Sequence, residues 1–488
     1  MGRENVPVPS ASAPTASPST APIRRVLGRV VRRLDGSRRG WLWAGLVAFA
    51  LSAWTVLASY LLGFPDEIWQ VDLEVYREGS RSLVDGRPVY EWLTEAPQYL
   101  PFTYPPFAAL VGTPLLLVPF PVAGWLWSLL QLALLWVCVG VAFRPLLERA
   151  GARRGFAQGA VCAVLIQLQP LQEGIRFGQV NAVIVTLCLL DVVHRQRRRM
   201  PAGSLSGFAI AVKLTPAVFW IHWVVTRQWR VLTASVVTAA SVTAVTALFA
   251  PAASVSYWTD ALFDPGRLGP NAGTSNQSIR GVLLRLGPPP GTAATVLLVL
   301  AVAVAAVLGF RLAARLHALD QRVAVVGTVG LVAVLISPVS WVHHLHWSIV
   351  VLGALLGDGR DRRRVWFVAG SALLLFLKLP QTGYGFTQSD IGAVVALGWI
   401  VEQTYFWWVL VALGAIWFFL VRPAGQGAAT PTAASRVSTA STAHTDAPIR
   451  RTADRLILRS SARPSSAATP DTTSSASQDP ANTETGSR

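Results

Sequence analysis

The chain has 488 residues, 52% of them hydrophobic and only 14% charged, with a mean hydropathy of +0.45 and a formal net charge of +17. Soluble domains carry about 25% charged residues, so this composition excludes an ordinary soluble globular protein. The positive charge does not point to nucleic acid either, because the arginines stand in short clusters between apolar runs, the pattern of cytoplasmic loops in a polytopic membrane protein.

Residues 1–22 are rich in Pro, Ser and Ala and lack the apolar core of a cleavable signal. With the seven arginines between Arg24 and Arg39, residues 1–40 are expected to form a disordered, basic cytoplasmic tail. The first span, 41–63, then runs outward, and the run 122–143 ends at a basic cluster (144–154) and must run inward. Residues 64–121 are therefore expected to form one large external loop. This loop is acidic, with eight Asp/Glu against three Arg between Asp66 and Glu95. Its apolar piece, 107–119, is too short to span and suits an interfacial helix.

Further apolar runs follow at 155–170, 180–194, 203–213, 216–226, 230–250, 291–310, 323–337, 345–357, 365–379 and 404–421, separated by basic clusters around 195–199, 227–230, 311–322 and 360–364. The expectation is an all-α polytopic bundle of about twelve spans over residues 41–421, both termini inside; the long runs 41–63 and 122–143 are near the ~20 residues a typical span needs. Residues 203–226 begin and end at basic clusters yet number only 24, so a hairpin must turn near Lys213 and Pro216. Residues 422–488 read as a second disordered cytoplasmic tail. Cys138, Cys162 and Cys188 all fall in apolar runs and read as small hydrophobes, not a disulfide framework.

Several motifs carry ionisable or amide side chains near the outer ends of spans. VDLEVYREG (71–79) places Asp72 just past the first span, where a carboxylate can act as a general base; a solvated loop acid is the plainer reading. LPFTYPPFAAL (100–110) has a double proline suited to launching a helix. FGQVNAVIV (177–185) offers Gln179 and Asn181 for sugar hydroxyls, or Asn181 as a helix cap. AVKLTP (211–216) puts Lys213 at a helix break, where it either binds a phosphate or snorkels to the interface, the reading that also suits Lys378. NQSIRG (276–281) closes a loop dense in hydroxyls and amides and ends near Arg280, suited to a sugar or a phosphate. SPVSWVHHLHW (337–347) holds three histidines, but adjacent His343 and His344 diverge on a helix and no zinc-binding His/Glu spacing is present, so hydrogen bonding to a polar substrate is preferred over a metal. No nucleotide-binding motif is recognisable, so any group transferred must arrive on an activated donor.

The ordered set of these motifs, spanning about residues 40–421, resembles glycosyltransferase family 87 of the GT-C superfamily of membrane glycosyltransferases. The best-known members of that family are actinobacterial α-(1→2)-mannosyltransferases acting on phosphatidylinositol mannosides and lipoglycans. The resemblance implies a GT-C-type fold with a large first external loop carrying an interfacial helix, and a polyprenyl-phosphate sugar donor with no metal or other cofactor. It also implies a glycolipid or glycan acceptor in the cell envelope and an active site on the external face of the plasma membrane. It maps the catalytic aspartate to Asp72 and matches family segments at Tyr76, Lys213, Asn276, Gln277, Arg280, His343 and His344; with Glu74, Tyr104, Gln179 and Asn181 from the motifs themselves, these are the expected substrate-binding residues. Mannose is the expected sugar, with arabinofuranose the alternative within the family. A lipid or sugar transporter and a non-catalytic scaffold are the rivals from other classes.

Overall fold

The structure is a computed structural model, and it describes residues 37–63, 69–95, 98–193, 200–287 and 291–423. The two tails, the start of the expected external loop and the basic cluster 195–199 lie outside the described residues. Among the described residues all extended regular structure is helical, and an isolated bridge joins Leu93 to Pro101.

The main helices run as α1 Arg38–Gly63, α2 Val71–Val84, α3 Pro106–Gly112, α4 Phe120–Ala142 (followed by a short helix, Arg144–Arg149), α5 Arg154–Leu165, α6 Gln169–Phe177, α7 Asn181–Val193, α8 Ser204–Val212, α9 Val218–Val225 and α10 Trp229–Phe249. They continue as α11 Pro251–Thr259, α12 Ile279–Arg285, α13 Thr292–Ala318, α14 Arg322–Ile336, α15 Ser348–Leu356, α16 Arg362–Phe376, α17 Leu379–Thr387, α18 Gly392–Glu402 and α19 Thr404–Ile416. Among the described residues five helices are long and apolar enough to cross a membrane: Arg38–Tyr60, Phe120–Ala142, Trp229–Phe249, Thr292–Ala318 and Thr404–Val421. Two bent pairs, α6 with α7 at 119° and α16 with α17 at 53°, bring the count to as many as seven if each pair is one broken span. The remaining apolar runs fold as shorter helices, among them α14 and the segment Val342–Leu356. Together these make it a membrane protein.

Two regions differ from the sequence reading in detail. The acidic segment at 71–84 is a helix, with Val71, Leu73, Val75 and Tyr76 buried and Asp72 and Glu74 in its first turn, where the helix dipole favours carboxylates. The stretch between the last two expected spans, read as a connection, holds α17 and α18 packed against each other through Gly383 and Gly398.

The central post is α14, apolar and buried nearly all round, as a helix without a polar face must be. Around it the chain packs through small residues. A Cβ at Gly45 of α1 would stand 2.2 Å from the Gly155 carbonyl oxygen, and one at Gly159 would stand 2.1 Å from that of Gly45. Such backbone-to-backbone approach is how helices associate where lipid removes the hydrophobic drive. Gly159→Leu should force α1 and α5 apart at a cost of about 1–3 kcal/mol or more. A thermal melt in detergent checks this, and an unchanged melting temperature would contradict the packing.

The hairpin expected at 213–216 is present. Gly203 meets Val231 and Gly207 meets Ser235, so α8 and α10 run in the same direction while α9 returns between them, with Trp220 Nε1 donating to Ser235 Oγ at 2.9 Å. Helix α8 has nine residues, about 14 Å at 1.5 Å per residue, so its end falls well short of a full span. Lys213 leaves it in extended conformation. Non-helical backbone at such depth is tolerated where protein or a cavity covers it. A second break lies at Gly178, whose φ of +70° lets α6 end before α7 departs at a steep angle. A third lies at 337–347, between α14 and α15.

Candidate active site

The three breaks meet, and the side chains they release form one hydrogen-bonded network with the start of α2. Gln179 Nε2 donates to Asp72 Oδ2 in a short contact. Asn181 Nδ2 lies 3.4 Å from Gln179 Oε1 and donates to the His343 carbonyl at 3.1 Å. Asn181 Oδ1 accepts from Lys213 Nζ at 3.0 Å, and Lys213 Nζ stands 3.3 Å from His344 Nε2. That nitrogen accepts from the ammonium when the neutral ring carries its proton on Nδ1. The ammonium also lies 5.3 Å from the centroid of the Tyr104 ring, a cation–π distance, and the Tyr104 hydroxyl lies 3.0 Å from that of Tyr76. The His343 ring packs on Phe177 and His344, and its Nε2 is buried without a partner.

Asp72, Tyr76, Tyr104, Gln179, Asn181, Lys213, His343 and His344, drawn from five sequence motifs, are thus brought together. Asn181 is not the helix cap of the plainer reading, and Lys213 does not snorkel: its head group is engaged inside the protein. Burial pushes the Asp72 carboxyl up to about 6, against the smaller opposing pulls of the Gln179 hydrogen bond and the Lys213 charge. The Tyr76 and Tyr104 phenols are raised, chiefly by burial, and stay protonated as donors. Beside Lys213 is a cavity of about 20 Å³, lined in part by Asn181, Thr215, Ser340 and His344. It has room for roughly one water, not a hexose.

Glu74 stands apart from this network. Burial raises its carboxyl first, with Glu78 and Glu95 adding repulsion. Asn276 and Gln277 are fully buried and serve the protein backbone. Asn276 Oδ1 accepts from Ser340 N at 2.9 Å, and its Nδ2 donates to the Asn271 carbonyl. The Gln277 amide bridges the Glu402 carbonyl and Phe406 N, while its backbone N–H donates to the Ser340 carbonyl at 2.7 Å. Arg280 is partly exposed, and its buried Nη1 has no protein partner. Among the described residues, no three His, Cys, Asp or Glu side chains converge as metal ligands.

Two supports escaped the sequence reading. Gln70, fully buried and left-handed at φ 58°, anchors the start of α2: its amide donates to the Gly124 carbonyl and Ser128 Oγ of α4, and its backbone N–H to the Arg176 carbonyl. Arg285, Glu402 and Gln403 form a buried ion-paired cluster that also holds Thr274 and the Gly273 carbonyl.

The profile of glycosyltransferase family 87 matches residues 102–338. A polyprenol-phosphate-mannose-dependent alpha-(1-2)-phosphatidylinositol mannoside mannosyltransferase of Mycolicibacterium smegmatis is 34% identical over 378 residues, 71% of this chain and 84% of the relative. The chain belongs to glycosyltransferase family 87. A polyprenol-phosphate-mannose-dependent alpha-(1-2)-phosphatidylinositol pentamannoside mannosyltransferase of Mycobacterium tuberculosis is 36% identical over 357 residues, 72% of this chain and 78% of that protein. A second Mycobacterium tuberculosis protein, with the same description as the first relative, is 32% identical over 401 residues, 76% of this chain and 88% of its own. No solved structure matches the chain. The family 87 segment takes in Tyr104, Gln179, Asn181, Lys213 and Arg280, while Asp72 and the two histidines flank it.

Proposed function

We propose that this family 87 glycosyltransferase transfers mannose from a polyprenyl-phosphate-mannose donor to a hydroxyl of a phosphatidylinositol mannoside or related envelope glycolipid. In this reading the chain is a plasma-membrane protein of about twelve spans, counting the shorter apolar helices at less than the usual span length. Its active site faces outward, and the reaction needs no metal or other cofactor. The observation that carries the reading is the Asp72–Gln179–Asn181–Lys213 chain, which sets a carboxylate and an ammonium in one partly enclosed site. The names of the relatives supply the sugar and the carrier.

The acceptor oxygen attacks the anomeric carbon as its proton passes to Asp72. The bond from that carbon to the phosphate oxygen breaks, and its electron pair leaves on polyprenyl phosphate. Attack opposite the leaving group inverts the centre, so a β-linked donor gives an α-linkage. Lys213, with Arg280 as a second cation, offsets the charge gathering on the departing phosphate. Tyr76, Tyr104, Gln179 and the histidines orient the sugar and the two charged groups. Glu74, Asn276 and Gln277 support the site from its margin.

The test is purified protein supplied with labelled polyprenyl-phosphate mannose and a phosphatidylinositol mannoside. Mannosylated lipid and free polyprenyl phosphate are expected. Transfer from a nucleotide sugar with no polyprenyl carrier would overturn the reading, and transfer of arabinofuranose alone would reassign the sugar.

A further inference from the structure

Arg267 lies outside the polar network, yet it ties together two loops that flank it. It stands in a short turn, Pro265–Leu268, which Asp264 caps by accepting from Gly266 N at 2.9 Å. The chain leaves this turn at Gly269, where φ is +85° and a Cβ would stand 3.4 Å from the Trp341 ring. The turn is thus seated on the histidine segment, and its arginine reaches the other way. Arg267 Nη2 donates to the Tyr90 carbonyl in a short contact and lies 3.4 Å from the Phe102 carbonyl. The guanidinium also stands 6.0 Å from the centroid of the Tyr90 ring, at the edge of cation–π range. The Tyr90 hydroxyl donates in turn to the Tyr104 carbonyl at 2.9 Å. Phe102 is fully buried against Gly79 of α2, so the strand of chain leading to Tyr104 is anchored at its start.

We propose that Arg267 is a positioning residue for sugar transfer, which holds the Tyr104 ring against the Lys213 ammonium by pinning the backbone that leads to it. Pro105 and Pro106 fix the chain after Tyr104 and start α3, so the freedom left to the tyrosine lies on its other side, in residues 102–104. Arg267 and Tyr90 grip that side at the carbonyls of Phe102 and Tyr104. Arg267 touches no reacting group. It acts through Tyr104, whose ring meets the ammonium and whose hydroxyl meets that of Tyr76, one helical turn from Asp72. A guanidinium suits the task because its planar nitrogens direct N–H groups along fixed lines, which an ammonium on a flexible stem does not. The kinetic consequence rests on the donor reading above; the placement of Tyr104 does not.

The experiment uses the full chain in lipid nanodiscs. Arg267→Met and Tyr104→Ala should each lower kcat/KM for polyprenyl-phosphate mannose about tenfold, and the double variant should also lose about tenfold, because the arginine acts through the ring. A merely structural role for Arg267 would give additive losses of about a hundredfold in the double variant. Arg267→Lys keeps the charge without the fixed directions and should recover part of the activity. A second readout needs no substrate. The chain has two lysines, so a water-soluble amine reagent followed by mass spectrometry compares Lys213, partly buried, with Lys378, exposed, as the internal standard. Freeing Tyr104 should raise the labelling rate of Lys213 severalfold in Arg267→Met and leave that of Lys378 unchanged. Additive losses, an unchanged kcat/KM or an unchanged Lys213 rate in Arg267→Met would each overturn the proposal. If that variant melts early or fails to fold, Tyr90→Phe keeps the ring packed on Phe102 and Tyr257, removes the hydroxyl alone and is read in the same two ways. Failure of sugar transfer in the wild type would count against the donor reading alone, since the labelling still reports on what holds Tyr104.

Discussion

Asp72→Asn is expected to lower turnover by about 10²–10⁴, the usual worth of general-base catalysis, while insertion into the membrane and donor binding persist. Asparagine keeps the shape of the side chain and its contact with Gln179 but cannot accept the acceptor's proton. The sign of the pH dependence follows from the raised carboxyl. The base is protonated below about 6, so turnover in the wild type should fall as pH drops through that value, and Asp72→Asn should lack this limb. Stability runs the other way. Because the folded protein holds this proton more readily than the unfolded chain does, between the ordinary carboxylate range and about 6, ionisation of Asp72 weakens the fold as pH rises. Asp72→Asn should therefore not lower the neutral-pH melting temperature. Glu74→Gln, outside the network, is the control. Near-normal turnover in Asp72→Asn with loss in Glu74→Gln would move the base to Glu74.

Lys213→Met should weaken donor binding by about 10- to 100-fold, corresponding to the ~1.5–3 kcal/mol of a hydrogen bond to a charged group. Methionine fills similar volume but removes the ammonium that Asn181 and His344 hold in place. Lys213→Arg restores the charge in a planar, longer head group and should recover part of the affinity. Titration with non-hydrolysable donor measures this directly, and an affinity unchanged in the methionine variant would remove Lys213 from the phosphate site.

What the sequence made legible was local. Pro216 and the short 203–226 run announced a broken hairpin, and the polar FGQVN motif and the histidine-rich segment stood out against apolar surroundings. Their meeting point was not legible, because Asp72 reaches Gln179 across 107 positions and Lys213 reaches His344 across 131, and no local pattern encodes such pairings. Asn276 and Gln277 show a different difficulty. An amide that suits a sugar hydroxyl suits a backbone carbonyl equally well, and irregular backbone inside a membrane protein creates many carbonyls in need of a donor. Gln70 carried no signal: one glutamine at a left-handed helix start looks like any loop residue until its partners on α4 are known.

The clasp formed by Asn276 and Gln277 has a consequence for protein engineering. Through it the loop carrying residues 271–278 grips Ser340 on one side and the junction of α18 and α19 on the other, with Arg285 and Glu402 locking the second grip. A chimera between family 87 enzymes that crosses over between residues 286 and 400 would part the two halves of this clasp. Where the crossover lies before residue 337, it would also inherit a histidine segment fitted to one parent and a loop fitted to the other. Exchanging 271–285, 337–347 and 402–406 as one cassette keeps the interlock intact, and such recombinants should retain expression where single-crossover ones lose it.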